Sequence, residues 1–286
     1  MFDFGNANEG QRRAIAAAEG PVLITAGPGT GKTYTLVQRA IYLIEERGIK
    51  PESIFIATFT EKAAKELITR ITNELSDRGI VANINEMYIG TFHSLCLRIL
   101  KEYLEFTRLR RNYRLLDAFD QQYMVFQNIY RFRNIPEVEI ALPNGGAWKQ
   151  SEAICNYVNN LSEELVVPEE LMSDSDLSIA ALGRMLKEYR DILAEGNLMD
   201  FSSIQIEAYR LLSDHADILE EMRSKVTHIM VDEYQDTNFI QEQLVFLLAG
   251  DRKNICVVGD DDQGLYRFRG ATIRNSLNSV YTSNVV

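Results

Sequence analysis

Residues 26–33 read Ala-Gly-Pro-Gly-Thr-Gly-Lys-Thr, a run whose types and spacing suit the cradling of a phosphate. Gly27, Gly29 and Gly31 let successive backbone N–H groups curl around an anion, and a helix starting after them points its positive end at the same place. Lys32 reaches the β- and γ-phosphates as a point charge, and the Thr33 hydroxyl is placed to ligate Mg²⁺. Ala26 stands where the pattern has its first glycine, and Pro28 and Thr30 complete the loop. The plain alternative is a glycine-rich turn that binds nothing. Against it, an apolar run (PVLITA, 21–26) enters the loop and helix-period sequence leaves it.

A cradle alone does not hydrolyse a phosphoanhydride. Transfer to water also needs a second metal-holding carboxylate and a group that activates the water. Asp232-Glu233 follows the β-rich run THIMV (227–231), the expected place for such a pair at a sheet's C-terminal edge. Asp232 would hold Mg²⁺, through water, and Glu233 would take the proton from the attacking water. Acid pairs at strand ends are common, so the pair gains its meaning from the loop. Loop and pair together specify an NTPase that works with Mg²⁺.

These residues need a scaffold, and the sequence supplies one. Helix-period stretches over 11–18, about 31–47 and 62–75 alternate with strand-like runs at 21–26, 54–59 (IFIATF) and 87–92 (MYIGTF). Strands separated by helix-length segments imply right-handed crossovers and a parallel sheet. The same grammar returns at 227–231 and 254–259 (NICVVG), flanking a helix over about 239–248. Between 115 and 195 the pattern is helical, with a loop-like break at 135–149. The expected fold is α/β, with an inserted, mostly α-helical subdomain. Its segments are 1–114 and 196–286 for the ATP-binding domain and 115–195 for the insert.

Composition bounds the partners only loosely. The chain has 286 residues, 46% of them hydrophobic and 25% charged, which suits a globular protein of about two domains. No apolar run approaches the roughly 18 residues that cross a bilayer, so no membrane partner is expected. The N-terminus MFDFGNANEG has no basic leader or apolar core, and Cys96, Cys155 and Cys256 are sparse and unpaired in spacing. Both suggest a cytoplasmic protein with reduced thiols. The net charge of −11 argues against a general polyanion binder, yet six basic residues between Arg98 and Arg114 face only Glu102 and Glu105. That stretch is either a solvated face or a local basic wall.

Further segments complete a pattern: DEYQD (232–236), VGDDDQGLYRFRGA (258–271), IATFTEKAAKEL (56–67), GTFHSLC (90–96) and NLMDFSSI (197–204). With AGPGTGKT, these resemble the ordered motifs of superfamily 1A DNA helicases of the UvrD/Rep/PcrA type, over about Asn8 to Ala271. The resemblance implies a RecA-like P-loop domain and single-stranded DNA translocation, with 3′→5′ polarity. It implies that Gln11 reads the adenine edge, that Gln263 contacts the γ-phosphate, and that Arg269 couples the DNA groove to the nucleotide. Tyr34 and Arg39 join the nucleotide set. Phe59, Tyr266 and Phe268 would stack on unpaired bases, and Thr60, Thr91 and His93 would bond the phosphates of the strand. Core packing is the alternative for the aromatics, and capping for His93.

Departures from the family pattern touch several of these roles. Tyr34 stands where many relatives carry arginine, which leaves the holding of the base open. Phe268 replaces a tryptophan of some members, and Gly264 a frequent serine. Family members continue into a second RecA-like domain whose arginines complete the ATP site, whereas this chain stops about fifteen residues after Ala271. The expectation is an N-terminal motor half that binds ATP–Mg and single-stranded DNA or ss/ds junctions. It would lack its C-terminal RecA-like partner in cis and hydrolyse ATP poorly. Alternatives are the motor part of a helicase–nuclease, a nucleotide-gated DNA-binding module without turnover, and a RecA-like NTPase unrelated to DNA. The sequence sets no oligomeric state.

Overall fold

A computed structural model describes residues 2–27 and 29–259. Among the described residues there are seven strands: β1 (Val22–Thr25), β2 (Ile54–Thr58), β3 (Tyr88–Thr91), β4 (Arg114–Leu115), β5 (Leu198–Met199), β6 (His228–Val231) and β7 (Ile255–Gly259). The helices before the insert are α1 (Glu9–Ala16), α2 (Lys32–Glu45), α3 (Glu61–Asp77) and α4 (Phe92–Glu102). Those that follow are α5 (Ala118–Gln127), α6 (Ile129–Arg133), α7 (Val138–Ala141), α8 (Ala147–Glu163), α9 (Pro168–Met172), α10 (Leu177–Glu195) and α11 (Phe201–Asp214). Helices α12 (Ala216–Lys225) and α13 (Phe239–Ala249) complete the described chain. None of these helices is long and apolar enough to cross a membrane. The chain forms two compact units, Cys96–Leu211 and the segments on either side of it, and passes between them within α4 and α11.

The first unit is built on a five-stranded sheet of order β1-β7-β6-β2-β3, every pairing parallel. All five residues of β2 and all four of β6 are buried. Since successive side chains point to opposite faces, both faces of these strands are covered, as parallel sheets require. This is the helix-flanked, RecA-like α/β arrangement that the motifs imply. Helix α3 shows how the sequence writes its elements. Thr60 caps it by accepting from the Ala63 N–H, and Ala64, Leu67, Ile71 and Leu75 bury one face. Gly79, at φ 70°, then lets the chain turn away. Leu67 and Ile71 join Ile15, Leu36, Ile41, Ile54, Met230 and Val258 in one core.

The second unit is mostly helical, with a separate core around Val125, Phe132, Ile154, Val158, Met185 and Leu186. Its entry and exit lie side by side, because β4 and β5 pair in parallel with Arg114 opposite Leu198 and Leu115 opposite Met199. Asp200, next along, caps α11 by accepting from the Ser203 N–H at 2.7 Å, and its other oxygen accepts from Tyr189 Oη and Gln121 Nε2. The NLMDFSSI stretch therefore sews the exit strand to α5 and α10. The unit is wider than residues 115–195, since Arg108 and Glu207, both outside that span, pair at 2.7 Å within it. The expected break at 135–149 holds the four-residue α7 and the start of α8. Among helices of this unit, α10 crosses α9 at Gly183, where an added Cβ would lie 2.7–2.8 Å from Leu171, Met172 and Pro168 atoms.

Candidate nucleotide site

The loop after β1 is tied at its start by the Ala26 N–H, which donates to the Gly259 carbonyl at the end of β7. Thr30 folds back within the loop, its hydroxyl donating to the Gly27 carbonyl at 2.7 Å. Gly31 then caps α2 at φ 90°, with no side chain capping the helix's first N–H groups. Those groups are left for an anion to satisfy. Only glycine serves at position 31. Its φ is left-handed, and a Cβ there would sit 2.9 Å from Gln11 Nε2. Pro28 lies outside the described residues.

Gln11 is held over this loop. It completes a capping box with Asn8 at the start of α1, its Oε1 accepting from the Asn8 N–H. Its Nε2 donates to the Thr30 carbonyl at 3.1 Å. The next two residues of interest behave differently. Tyr34 packs against the core, its hydroxyl donating to the Phe4 carbonyl at 3.0 Å. Arg39 is not at the loop at all. It is 2% exposed, donates to the Ala14 carbonyl at 2.6 Å, and leaves Nε without a partner. Its placement comes from the packing of α1 on α2, so the nucleotide role expected for it has no geometric support.

The acid pair follows β6 directly. The Asp232 N–H donates to the Ala57 carbonyl, continuing the ladder with β2, and its carboxylate accepts from the Glu233 N–H at 3.1 Å. Burial, and then the neighbouring Glu233 carboxylate, push the Asp232 carboxyl up to about 6. Glu233 itself sits in the left-handed region at φ 49°, ψ 48°, a strained conformation for a non-glycine residue. This turn sends its side chain to Lys32, whose Nζ lies 3.1 Å from Glu233 Oε2. The same oxygen accepts from Gln235 Nε2 at 2.7 Å. Gln235 was not singled out from the sequence, although it lies inside DEYQD and its Oε1 also approaches Gly259.

For a divalent cation the relevant donors are the Thr33 hydroxyl and the Asp232 carboxylate. Both are oxygens, as Mg²⁺ prefers, and Mg²⁺ commonly takes its other ligands from phosphate and water. Among the described residues no group of three or more His, Cys, Asp or Glu gathers to hold a metal. The residues present therefore fit a cation that arrives with a phosphate.

Along the neighbouring strand ends, Phe59 follows β2 with 45% of its surface exposed. The Thr60 oxygen caps α3, and the buried Thr91 hydroxyl donates to Glu61 Oε1 at 3.0 Å. Glu61 is a partner the sequence reading did not name. His93 is half-buried in the first turn of α4. Gln263, Tyr266, Phe268 and Arg269 lie outside the described residues.

Loop, acid pair and strand order fit a candidate nucleotide site on a RecA-like fold, and comparison with known proteins supplies the family. The family model described as "UvrD/REP helicase N-terminal domain" matches residues 7–282. The chain belongs to this family. It is 35% identical over 274 residues to the ATP-dependent DNA helicase PcrA of Staphylococcus epidermidis, covering 96% of this chain and 36% of that protein. To PcrA of Staphylococcus aureus it is 34% identical over 272 residues, covering 95% and 35% respectively. The chain thus spans little more than a third of these curated relatives. As a member of the UvrD/REP family it carries the N-terminal domain of a helicase.

Proposed function

We propose that this chain is the ATP-binding motor half of a DNA helicase that translocates on single-stranded DNA. The observation that carries the reading is the contact between Lys32 and Glu233. It shows that the fold brings the phosphate loop and the acid pair to one place, as phosphoryl transfer to water requires. In this reading the γ-phosphate of ATP takes over Lys32, which releases Glu233 to act as a base toward water held by Gln235 and Glu233 together. Thr33 and Asp232 would hold Mg²⁺, which would supply charge neutralisation at the phosphate oxygens. Gln11 exchanges its Thr30 contact for the adenine edge, consistent with its place beside the loop. Gln263 and Arg269 would relay the state of the γ-phosphate to DNA.

On the DNA side, the exposure of Phe59 supports stacking on an unpaired base, which contributes about 1–3 kcal/mol per base. Tyr266 and Phe268 would extend that platform. Thr60, Thr91 and His93 would bond the strand's phosphates, Thr91 by exchanging its Glu61 partner. The relatives' names, ATP-dependent DNA helicases, support the substrate pair. Polarity 3′→5′, action at ss/ds junctions in DNA repair, and a cytoplasmic location follow the family resemblance. A second RecA-like domain in cis would supply the remaining arginines, so the half by itself hydrolyses ATP poorly.

The deciding experiment is steady-state ATPase with Mg²⁺, with and without single-stranded DNA, using Glu233→Gln as the blank. Rates near the blank in both conditions, with nucleotide and DNA binding intact, are expected. Robust DNA-stimulated turnover abolished by the mutation would show that this half is catalytically complete. Nucleotide affinity indifferent to single-stranded DNA would favour an NTPase unrelated to DNA.

A further inference from the structure

Tyr34 stands in the first turn of α2, two residues after Lys32, yet its hydroxyl is engaged elsewhere, donating to the Phe4 carbonyl at 3.0 Å. The same carbonyl accepts from the Ala7 N–H at 3.1 Å, which closes a four-residue turn over 4–7. The turn fits closely around the phenol, since a Cβ added at Gly5 would lie 3.3 Å from the Tyr34 oxygen. Helix α2 grips Phe4 a second time, where its ring stacks on Tyr42 with centroids 6.2 Å apart.

The turn leads directly into the anchor of Gln11. Arg12 Nε donates to the Ala7 carbonyl at 2.8 Å, and Asn8, next along, forms the capping box that fixes Gln11. Gln11 reaches back to the Thr30 carbonyl, and its Nε2 and the Tyr34 Cβ both border the space beside Gly31. The contacts form a circuit. It runs from the phosphate loop into α2, through Tyr34 to the turn, through the turn to α1, and by Gln11 back to the loop. A free glutamine loses rotamer freedom on meeting a ligand, whereas one already held loses less.

We propose that Tyr34 is a positioning residue for base recognition, acting through the Phe4–Ala7 turn to hold Gln11 beside the phosphate loop. The proposal rests on the reading that Gln11 meets the adenine edge. In that reading Gln11 Oε1 has a second lone pair for the adenine amino group, and Nε2 has a hydrogen for N7. Guanine does not match, because it places an acceptor where adenine has the amino group. Tyr34 touches no base itself; it sets where Gln11 stands. Its loss is felt as a lost preference for adenine, not as a lost affinity for phosphate.

The test is displacement of a fluorescent nucleotide from the whole chain by ATP and by GTP, with Mg²⁺. Tyr34→Phe removes the hydroxyl and keeps the ring in the core. It should lower the preference for ATP over GTP about threefold, the loss expected for one neutral hydrogen bond, and leave GTP affinity unchanged. Gln11→Ala should lower the preference about tenfold. Adding Tyr34→Phe to it should cost nothing more, since the hydroxyl acts only through Gln11. An unchanged preference in Tyr34→Phe, an equal loss for both nucleotides, or a further loss in the double variant overturns the proposal while the base-edge reading stands on Gln11→Ala. A parent chain that binds no nucleotide, or Gln11→Ala with an unaltered preference, overturns that reading and the proposal with it.

Discussion

Lys32 and Glu233 stand 201 residues apart in sequence and meet at 3.1 Å. Glu233 adopts a left-handed backbone to make that contact, and Gln235 holds the same carboxylate oxygen from the other side. An ion pair with side chains 11% and 34% exposed contributes little to stability. Its significance lies in what it opposes. A lysine already bound to a carboxylate must give that partner up to bind phosphate.

Two substitutions separate these roles. If Lys32 meets the phosphates as proposed, Lys32→Ala removes that charge, so nucleotide affinity should fall by about 100-fold or more in a fluorescent-nucleotide titration. Glu233→Gln removes the competitor, so affinity should tighten about two- to tenfold in the same assay. Weaker binding in Glu233→Gln would show that the pair assembles the site rather than competing with phosphate.

Arg39 gives a prediction of the opposite kind. Its guanidinium bonds Ala14 in the interior, so Arg39→Ala should lower unfolding stability by about 2–4 kcal/mol. Nucleotide affinity should change less than about twofold. Chemical denaturation and the same titration check both halves.

Gly183 lies inside α10, where alanine ordinarily favours a helix by about 1 kcal/mol. Here the crossing with α9 leaves no room for a methyl group, and overpacking of this kind costs about 1–3 kcal/mol. Gly183→Ala should therefore lower, not raise, the melting temperature.

His228 carries a pH signature. Burial, and then the charge of Arg39, hold its imidazole down at about 4. A base whose folded pKa is depressed below its unfolded value, about 6.5, stabilises fully above that value. The contribution is lost as pH falls toward 4, on the order of 1 kcal/mol between pH 6.5 and 5. Asp232, raised to about 6, acts in the opposite sense, since its protonated form favours the folded state as pH falls. The observable is therefore a difference: denaturation of the parent minus His228→Gln should show a gap that closes on acidification. A constant gap would mean that His228 keeps its ordinary pKa.

How much of this was legible in the sequence depends on range. The phosphate loop, the acid pair and the α/β alternation are written in contiguous residues, and their elements fall within a few residues of the periodic pattern. Helix α3 is marked by its cap, its apolar spacing and its glycine, all local. The partners of those residues are not local. Nothing near Arg39 in sequence reveals that α1 will cover it, and the Thr91–Glu61 contact depends on β3 lying beside β2. Helix α7, four residues long, is too short to show a period. The bounds of the helical unit escaped because the Arg108–Glu207 pair that widens it spans 99 residues.

The strand order has a consequence for how the protein is made. Strand β1, which delivers the phosphate loop, pairs in the described sheet with β7 alone, whose last residue is Gly259. Strands β2 and β3 can pair with each other early, but β6 and β7 follow the whole helical insert. On a ribosome, chains emerge from the N-terminus onward. The nascent loop therefore waits, edge unpaired, through the synthesis of well over a hundred residues. Nucleotide cannot find a finished site on the growing chain until the helical unit has already had time to fold. The insert thus acts as a delay line, placing completion of the sheet around the phosphate loop after that of the helical unit itself.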